Sequence, residues 1–146
     1  MTAEQRILEA VSRFKNGYAC SQAIFTVYAT QFGVDEDKAL AIACGFAGGM
    51  RMAETCGAVT GAYMILGLKY CGADGTAMAG RKAAYEAVLK FTAQFKSKHN
   101  SVVCKELLGY DVSTPEGHEM AVQQGLFRSA CPLFVQHAAE LLEKVI

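Results

Sequence analysis

The sequence contains no Cys-x-x-Cys pair, although it has 6 cysteines in 146 residues. That absence removes the usual warrant for a thioredoxin-type dithiol or a zinc ribbon. No glycine-rich phosphate loop follows a strand, and no nucleophile elbow occurs. No block of like charge appears. The 14 basic and 14 acidic side chains cancel, so nothing points to nucleic acid or an anionic membrane surface. No strand-like alternation and no Asn-Gly hairpin stands out. The longest uncharged apolar run, Cys56 to Leu68, ends at Lys69. It is too short to span a bilayer and suits a buried helix. The N-terminal stretch "MTAEQRILEAVSRFKNG" is amphipathic and charged, unlike a signal peptide. The expectation is a soluble cytoplasmic protein.

What is present is helical. Apolar residues make up 52% of the chain, enough for one sizeable core. Ile7, Val11 and Phe14 lie on one face of a first helix, which Thr2 and Gln5 open as a capping box and Gly17 stops. A second helix starts near Cys20 and runs to Gly33. Asp35 caps a third, "EDKALAIACGF", ahead of Gly48 and Gly49. Thr55 caps a fourth that runs through Tyr70 and closes at Gly72. A long fifth spans Thr76 to Lys98, with Ala84, Val88, Phe91 and Phe95 inward and Lys96 and Lys98 at its C-terminal dipole. Ser101 caps a short sixth, "VVCKELLG". Thr114 caps a seventh, with Pro115 at its first position and Glu116 beside its positive end, reaching about Gln124. Ser129 caps the last, whose Phe134, Leu141 and Val145 face the core. No repeat, low-complexity segment or linker interrupts the chain. The expected fold is all-α: one domain over residues 1–146, a bundle of about seven or eight helices with short loops.

The cysteines fall at particular places in this scheme. Cys20, Cys56, Cys104 and Cys131 each lie in or beside the first turn of an expected helix. First turns make up roughly a fifth of such a chain, so chance would place about one cysteine there. A helix N-terminus carries positive charge and unpaired N–H groups. These favour a thiolate, and hydrogen bonds to sulfur also tune thiolate-bound clusters. Gly57 and Gly61 have no side chains, so a cofactor or a neighbouring backbone can come close to Cys56; the same spacing also serves plain helix–helix packing. These features make Cys56 the expected most reactive thiol.

The plainer readings stand beside this one. Free cysteine often only fills space in a core. Cys44 and Cys71, at the far ends of their helices, suit that role best. Met50 and Met52 read as core filler. Arg51 and Glu54 read as solvated or paired, and either could tune Cys56. His99, His118 and His137 make no zinc or triad spacing and read as surface residues.

The order of the cysteines resembles the C_GCAxxG_C_C family of redox-active proteins. The matching pieces are Cys20 in "GYACSQAIF", the stretch "CGFAGGMRMAETCGAVTG", Cys104 in "CKELLGYD" and Cys131 in "CPLFVQHAAELL". The likeness runs from about Gly17 to Leu142. The chain departs from the literal string by reading Cys56-Gly57-Ala58-Val59-Thr60-Gly61, with the cysteine ahead of the glycine. The resemblance implies redox activity. A related domain in a multihaem cytochrome associated with an iron–sulfur centre keeps a cluster in view. Without Cys-x-x-Cys-His, covalent haem is not expected.

Three functions are open at this point. In the first, Cys20, Cys56, Cys104 and Cys131 converge on one site and either cycle between thiol and disulfide or ligate an iron–sulfur cluster. The protein is then an oxidoreductase or electron carrier with a donor or acceptor that the sequence does not name. In the second, the four thiolates hold structural zinc. In the third, the chain is a helical interaction module with no cofactor, its cysteines mere filler. Self-association to a homo-oligomer is compatible with each.

Overall fold

A computed structural model describes residues 1–72 and 75–146. The fold is all-α. Its helices are α1 (Ala3–Lys15), α2 (Cys20–Ala29), α3 (Glu36–Cys44), α4 (Gly57–Tyr70), α5 (Met78–His99), α6 (Cys104–Leu108), α7 (Pro115–Gln123), α8 (Leu126–Ser129) and α9 (Cys131–Glu143). α8 is a single turn of 4 residues. Among the described residues the only extended pairing is one antiparallel bridge, Thr55 to Val103.

α2 is the central element. It packs against α1, α3, α4 and α9, and it is buried on nearly every side from Ser21 to Ala29. That burial explains a run too apolar to show one polar face. Ile24 and Tyr28 of α2, Ile65 and Leu66 of α4, Phe95 of α5 and Leu142 of α9 are among its largest fully enclosed side chains. α1 closes over α9 with the aid of a two-pronged ion pair: Arg6 Nε lies 2.7 Å from Glu143 Oε2, and Arg6 Nη2 lies 2.6 Å from Glu143 Oε1. The planar guanidinium fits a carboxylate in this forked geometry.

Several caps are as expected. Thr2 and Gln5 form the capping box of α1, Asp35 Oδ1 accepts from Lys38 N–H at 2.9 Å, and Thr114 Oγ1 accepts from Gly117 N–H at 3.0 Å. Three are not. Thr55 sits in the bridge to Val103, and Cys56 itself occupies the N-cap of α4. Ser101 Oγ accepts from Val103 N–H at 2.9 Å and donates to Glu106, so α6 begins at Cys104. Ser129 ends α8 and donates to the Gly125 carbonyl at 3.0 Å, leaving Ala130 as the N-cap of α9. Ser101 and Ser129 are claimed by partners nearby in sequence, and Thr55 by a bridge to a distant segment.

The histidines also differ from expectation. His118 is exposed, but His137 is buried and His99 is half-buried. Their rings lie 4.9 Å apart, edge to face, between Phe95 and Phe134. His99 Nε2 and His137 Nδ1 are enclosed with no hydrogen-bond partner among the described residues. Burial, with the Lys98 charge, holds both imidazoles below their ordinary pKa; that of His137 falls to about 4. Met52, expected inside, is exposed.

Candidate functional site

Four helices begin at a cysteine. Cys20, Cys104 and Cys131 are the first residues of α2, α6 and α9, and Cys56 is the N-cap of α4. All four line one cavity of about 170 Å³. Phe14, Leu107, Leu108, Val112, Phe127 and Phe134 form most of its apolar wall, and Arg51, Ser113 and His118 add polar groups. Cys44 ends α3 and is exposed. Cys71 follows α4, and its thiol points to the Gly75 carbonyl at 3.7 Å. Neither lines the cavity.

Two backbone contacts bring the distant segments together. Cys56 N–H donates to the Val102 carbonyl at 2.7 Å, and Cys104 N–H donates to the Glu54 carbonyl at 2.6 Å. They flank the Thr55–Val103 bridge and fasten the entry of α4 to the entry of α6. The side chains add Lys105 to Glu54 at 3.5 Å. This exposed pair contributes little by itself.

The approach of α2 to α4 depends on two glycines. A Cβ at Gly61 would lie 3.0 Å from the Ser21 carbonyl oxygen and 3.2 Å from Ile24 Cβ. A Cβ at Gly57 would lie 2.4 Å from Cys20 Sγ, closer than such atoms can pack. Gly61 thus lets the helices cross, and Gly57 makes room for a sulfur.

The loop before α4 is strained. Gly48, Met50 and Arg51 adopt left-handed backbone angles, at φ 63, 58 and 63 degrees, and Gly49 and Ala53 also have positive φ. Left-handed geometry at a residue with a Cβ costs roughly 1–2 kcal/mol. Such strain persists where the surroundings enforce it, and it gathers at functional sites. Here Glu54 N–H bonds to the Gly49 carbonyl at 3.1 Å, and the loop delivers the Gly48 amide to the cavity. The Arg51 guanidinium folds back over Gly48.

The Cys20 sulfur receives the most help. The Cys56 thiol donates a hydrogen bond to it, and the backbone N–H groups of Gly48, Ser21 and Gly57 also hydrogen-bond to it. Together these hold the Cys20 pKa well below that of an ordinary thiol, against the opposing effect of burial. Cys56 moves the other way: it gives its proton to that bond, it is buried, and it faces the Cys20 charge. Sequence reasoning favoured Cys56 as the reactive thiol. The amides favour Cys20, because three converge on its sulfur and only the Ala58 amide supports Cys56. Burial pushes Cys104 up to about 11; the Cys20 and Asp111 charges add to this and Arg51 opposes it. Burial and the charges of Cys20 and Cys104 push Cys131 up to about 12. Cys20 is thus pulled toward the thiolate, and Cys56, Cys104 and Cys131 are pushed toward the protonated form.

Four thiols are the donor chemistry of zinc or an iron–sulfur cluster. Among the described residues no three His, Cys, Asp or Glu side chains stand where they could hold one metal ion.

A family model described as "Putative redox-active protein (C_GCAxxG_C_C)" matches residues 18–145. The chain belongs to the C_GCAxxG_C_C family. The matched span holds all four cysteines of the cavity and all of α2, α4, α6 and α9. Searches of curated proteins and of solved structures returned no match. The family description names no cofactor. Among the described residues of this C_GCAxxG_C_C protein, no helix is long and apolar enough to cross a membrane.

Three contributors to the site were not visible as such in the sequence. The Ser21 and Gly48 amides reach Cys20 through folding, and His118 joins the cavity rim with its ring 5.3 Å from Phe127. Gly48 alone carried a signal, as half of a Gly-Gly pair ahead of the Cys56 helix.

Proposed function

We propose that the protein is a thiol–disulfide redox protein whose working pair is Cys20 and Cys56. The observation that carries this reading is the placement of Cys20 and Cys56 at two helix starts on the wall of one cavity, with Cys20 Sγ so close to Gly57 that a Cβ there would lie 2.4 Å from it. A thiolate is the attacking species in disulfide exchange, and the neighbouring thiol resolves the mixed disulfide. Cys20 attacks a disulfide sulfur of the oxidant, whose S–S bond breaks and releases one thiolate. That thiolate, or water, takes the Cys56 proton. Cys56 then attacks Cys20 Sγ and expels the second thiolate. The protein loses two electrons and the oxidant gains them. Cys104 and Cys131 face the same cavity and provide a second dithiol to which the disulfide can pass.

The reading is tested by equilibrating the protein in dithiothreitol redox buffers and mapping disulfides by peptide mass spectrometry, with metal content measured on anaerobically purified protein. The account expects a Cys20–Cys56 disulfide that is lost in Cys20→Ser and Cys56→Ser. Bound zinc or iron at stoichiometric level that disappears in the same variants, with no Cys20–Cys56 disulfide at any potential, would favour the metal reading instead.

A further inference from the structure

We propose that the cavity selects a small, uncharged, largely apolar disulfide as the oxidising substrate. This rests on the thiol–disulfide reading above and names what the site admits. The volume of about 170 Å³ is close to the ~150 Å³ of an engineered apolar cavity that holds benzene. A molecule of that size fits; a peptide disulfide is several times larger. The walls decide the chemistry. Phe14, Leu107, Leu108, Val112, Phe127 and Phe134 surround the thiols, while the polar side chains of the lining besides the cysteines are those of Arg51, Ser113 and His118. Peptide amides brought against such walls would lose their water without gaining partners, and a charged group would lose more. A dialkyl disulfide loses nothing and gains contact.

The site also positions the reacting atoms. Cys20 lies on the cavity wall, its sulfur packed against Gly57, with the Gly48, Ser21 and Gly57 amides favouring its thiolate. The attack proceeds toward the cavity, where an R–S–S–R molecule would sit. Cys20 forms a new S–S bond as the substrate S–S bond breaks and RS⁻ departs. RS⁻ takes the proton of Cys56. The Cys56 thiolate then bonds to Cys20 Sγ and displaces the second RS⁻. One substrate disulfide has become one RSH and one RS⁻, and the protein has gained one disulfide. A cation suffers twice here: it enters an apolar space, and it faces Arg51 at the lining.

The test uses the reduced natural protein and three oxidants: diethyl disulfide, cystamine and glutathione disulfide. Cystamine matches diethyl disulfide closely in size but carries two ammonium groups; glutathione disulfide is large and charged. Rates of modification at Cys20 and at the exposed Cys44 are read by mass spectrometry after timed quenching. The Cys20-to-Cys44 ratio cancels the intrinsic reactivity of each reagent. The expected ratio is at least about tenfold higher for diethyl disulfide than for either other reagent, a difference of about 1.4 kcal/mol in barrier. Leu107→Phe, which adds bulk to a half-buried wall position, should remove that preference. Equal ratios for all three reagents, or a higher ratio for glutathione disulfide, would overturn the proposal. Equilibration in dithiothreitol buffer separates the two claims. The equilibrium disulfide depends on the Cys20–Cys56 pair and not on the oxidant. If it forms without substrate preference, the cavity proposal fails alone; if it does not form, the redox reading itself fails.

Discussion

Gly57 and the sulfur of Cys20 occupy one space: a Cβ on residue 57 would lie 2.4 Å from Cys20 Sγ. The absence of a side chain at the start of α4 is thus what lets the start of α2 place its sulfur against the Gly57 amide. Gly57→Ala should force the sulfur away or push the helices apart. Overpacking of this kind costs about 1–3 kcal/mol. Thermal unfolding should show that loss, and the Cys20 thiolate should form at higher pH than in the natural chain because the sulfur no longer sits on its amides. A variant that loses stability but keeps the natural thiolate titration would show that Gly57 serves packing only.

Substitutions at Cys56 separate hydrogen bonding from redox chemistry. The bond from the Cys56 thiol is the largest single contribution to the low Cys20 pKa. Serine keeps a donor at that position, and alanine does not. Cys56→Ser should therefore hold the Cys20 thiolate near its natural titration while abolishing the disulfide. Cys56→Ala should abolish the disulfide and raise the Cys20 pKa. Titration of the thiolate absorbance, with Cys20→Ser as the blank, checks both.

The left-handed loop stores energy that one substitution should release. Arg51 is exposed, with φ 63 and ψ 11 degrees. Relief of left-handed strain is worth roughly 1–2 kcal/mol, and the added freedom of glycine in the unfolded chain takes back roughly 0.4–1 kcal/mol. Arg51→Gly should then stabilise the fold by about 0.5–1 kcal/mol in denaturant unfolding. It should also raise the Cys104 pKa further, since the Arg51 charge opposes that rise.

The His99–His137 pair predicts a pH dependence of stability. Both imidazoles titrate lower in the folded protein than in the unfolded chain, His137 at about 4. The unfolded chain therefore binds more protons between those values and about 6.5, the ordinary histidine pKa. The stabilisation is fully present above about pH 6.5 and is lost as pH falls toward 4. The melting temperature should decline across that window. His137→Leu should flatten the decline; an unchanged slope would place its origin in the carboxylates.

The helices were legible because their information is local. Thr2 with Gln5, Asp35 and Thr114 act within one turn, and the apolar spacing of α1 and α5 repeats every three or four residues. The four cysteines at helix starts were legible for the same reason. Which thiol is pulled toward the thiolate was not. That depends on amides at positions 21, 48 and 57 meeting one sulfur, and no pattern in the sequence encodes a meeting of a loop with two helix entries. His137 was misread because its aromatic neighbours Phe95 and His99 lie on another helix, α5. Ser101, Thr55 and Ser129 were misplaced by one or two positions because a polar side chain near a helix start resembles a cap whether or not it makes one.

The most direct measurement is the pH titration of thiolate absorbance in the reduced protein, with Cys20→Ser and Cys56→Ser measured in parallel. The account predicts one thiolate that forms below the ordinary thiol pKa of about 8.5, vanishes in Cys20→Ser and persists in Cys56→Ser. A low-pH thiolate that survives in Cys20→Ser and vanishes in Cys56→Ser, or no thiolate below about pH 8.5 in the natural chain, would contradict it.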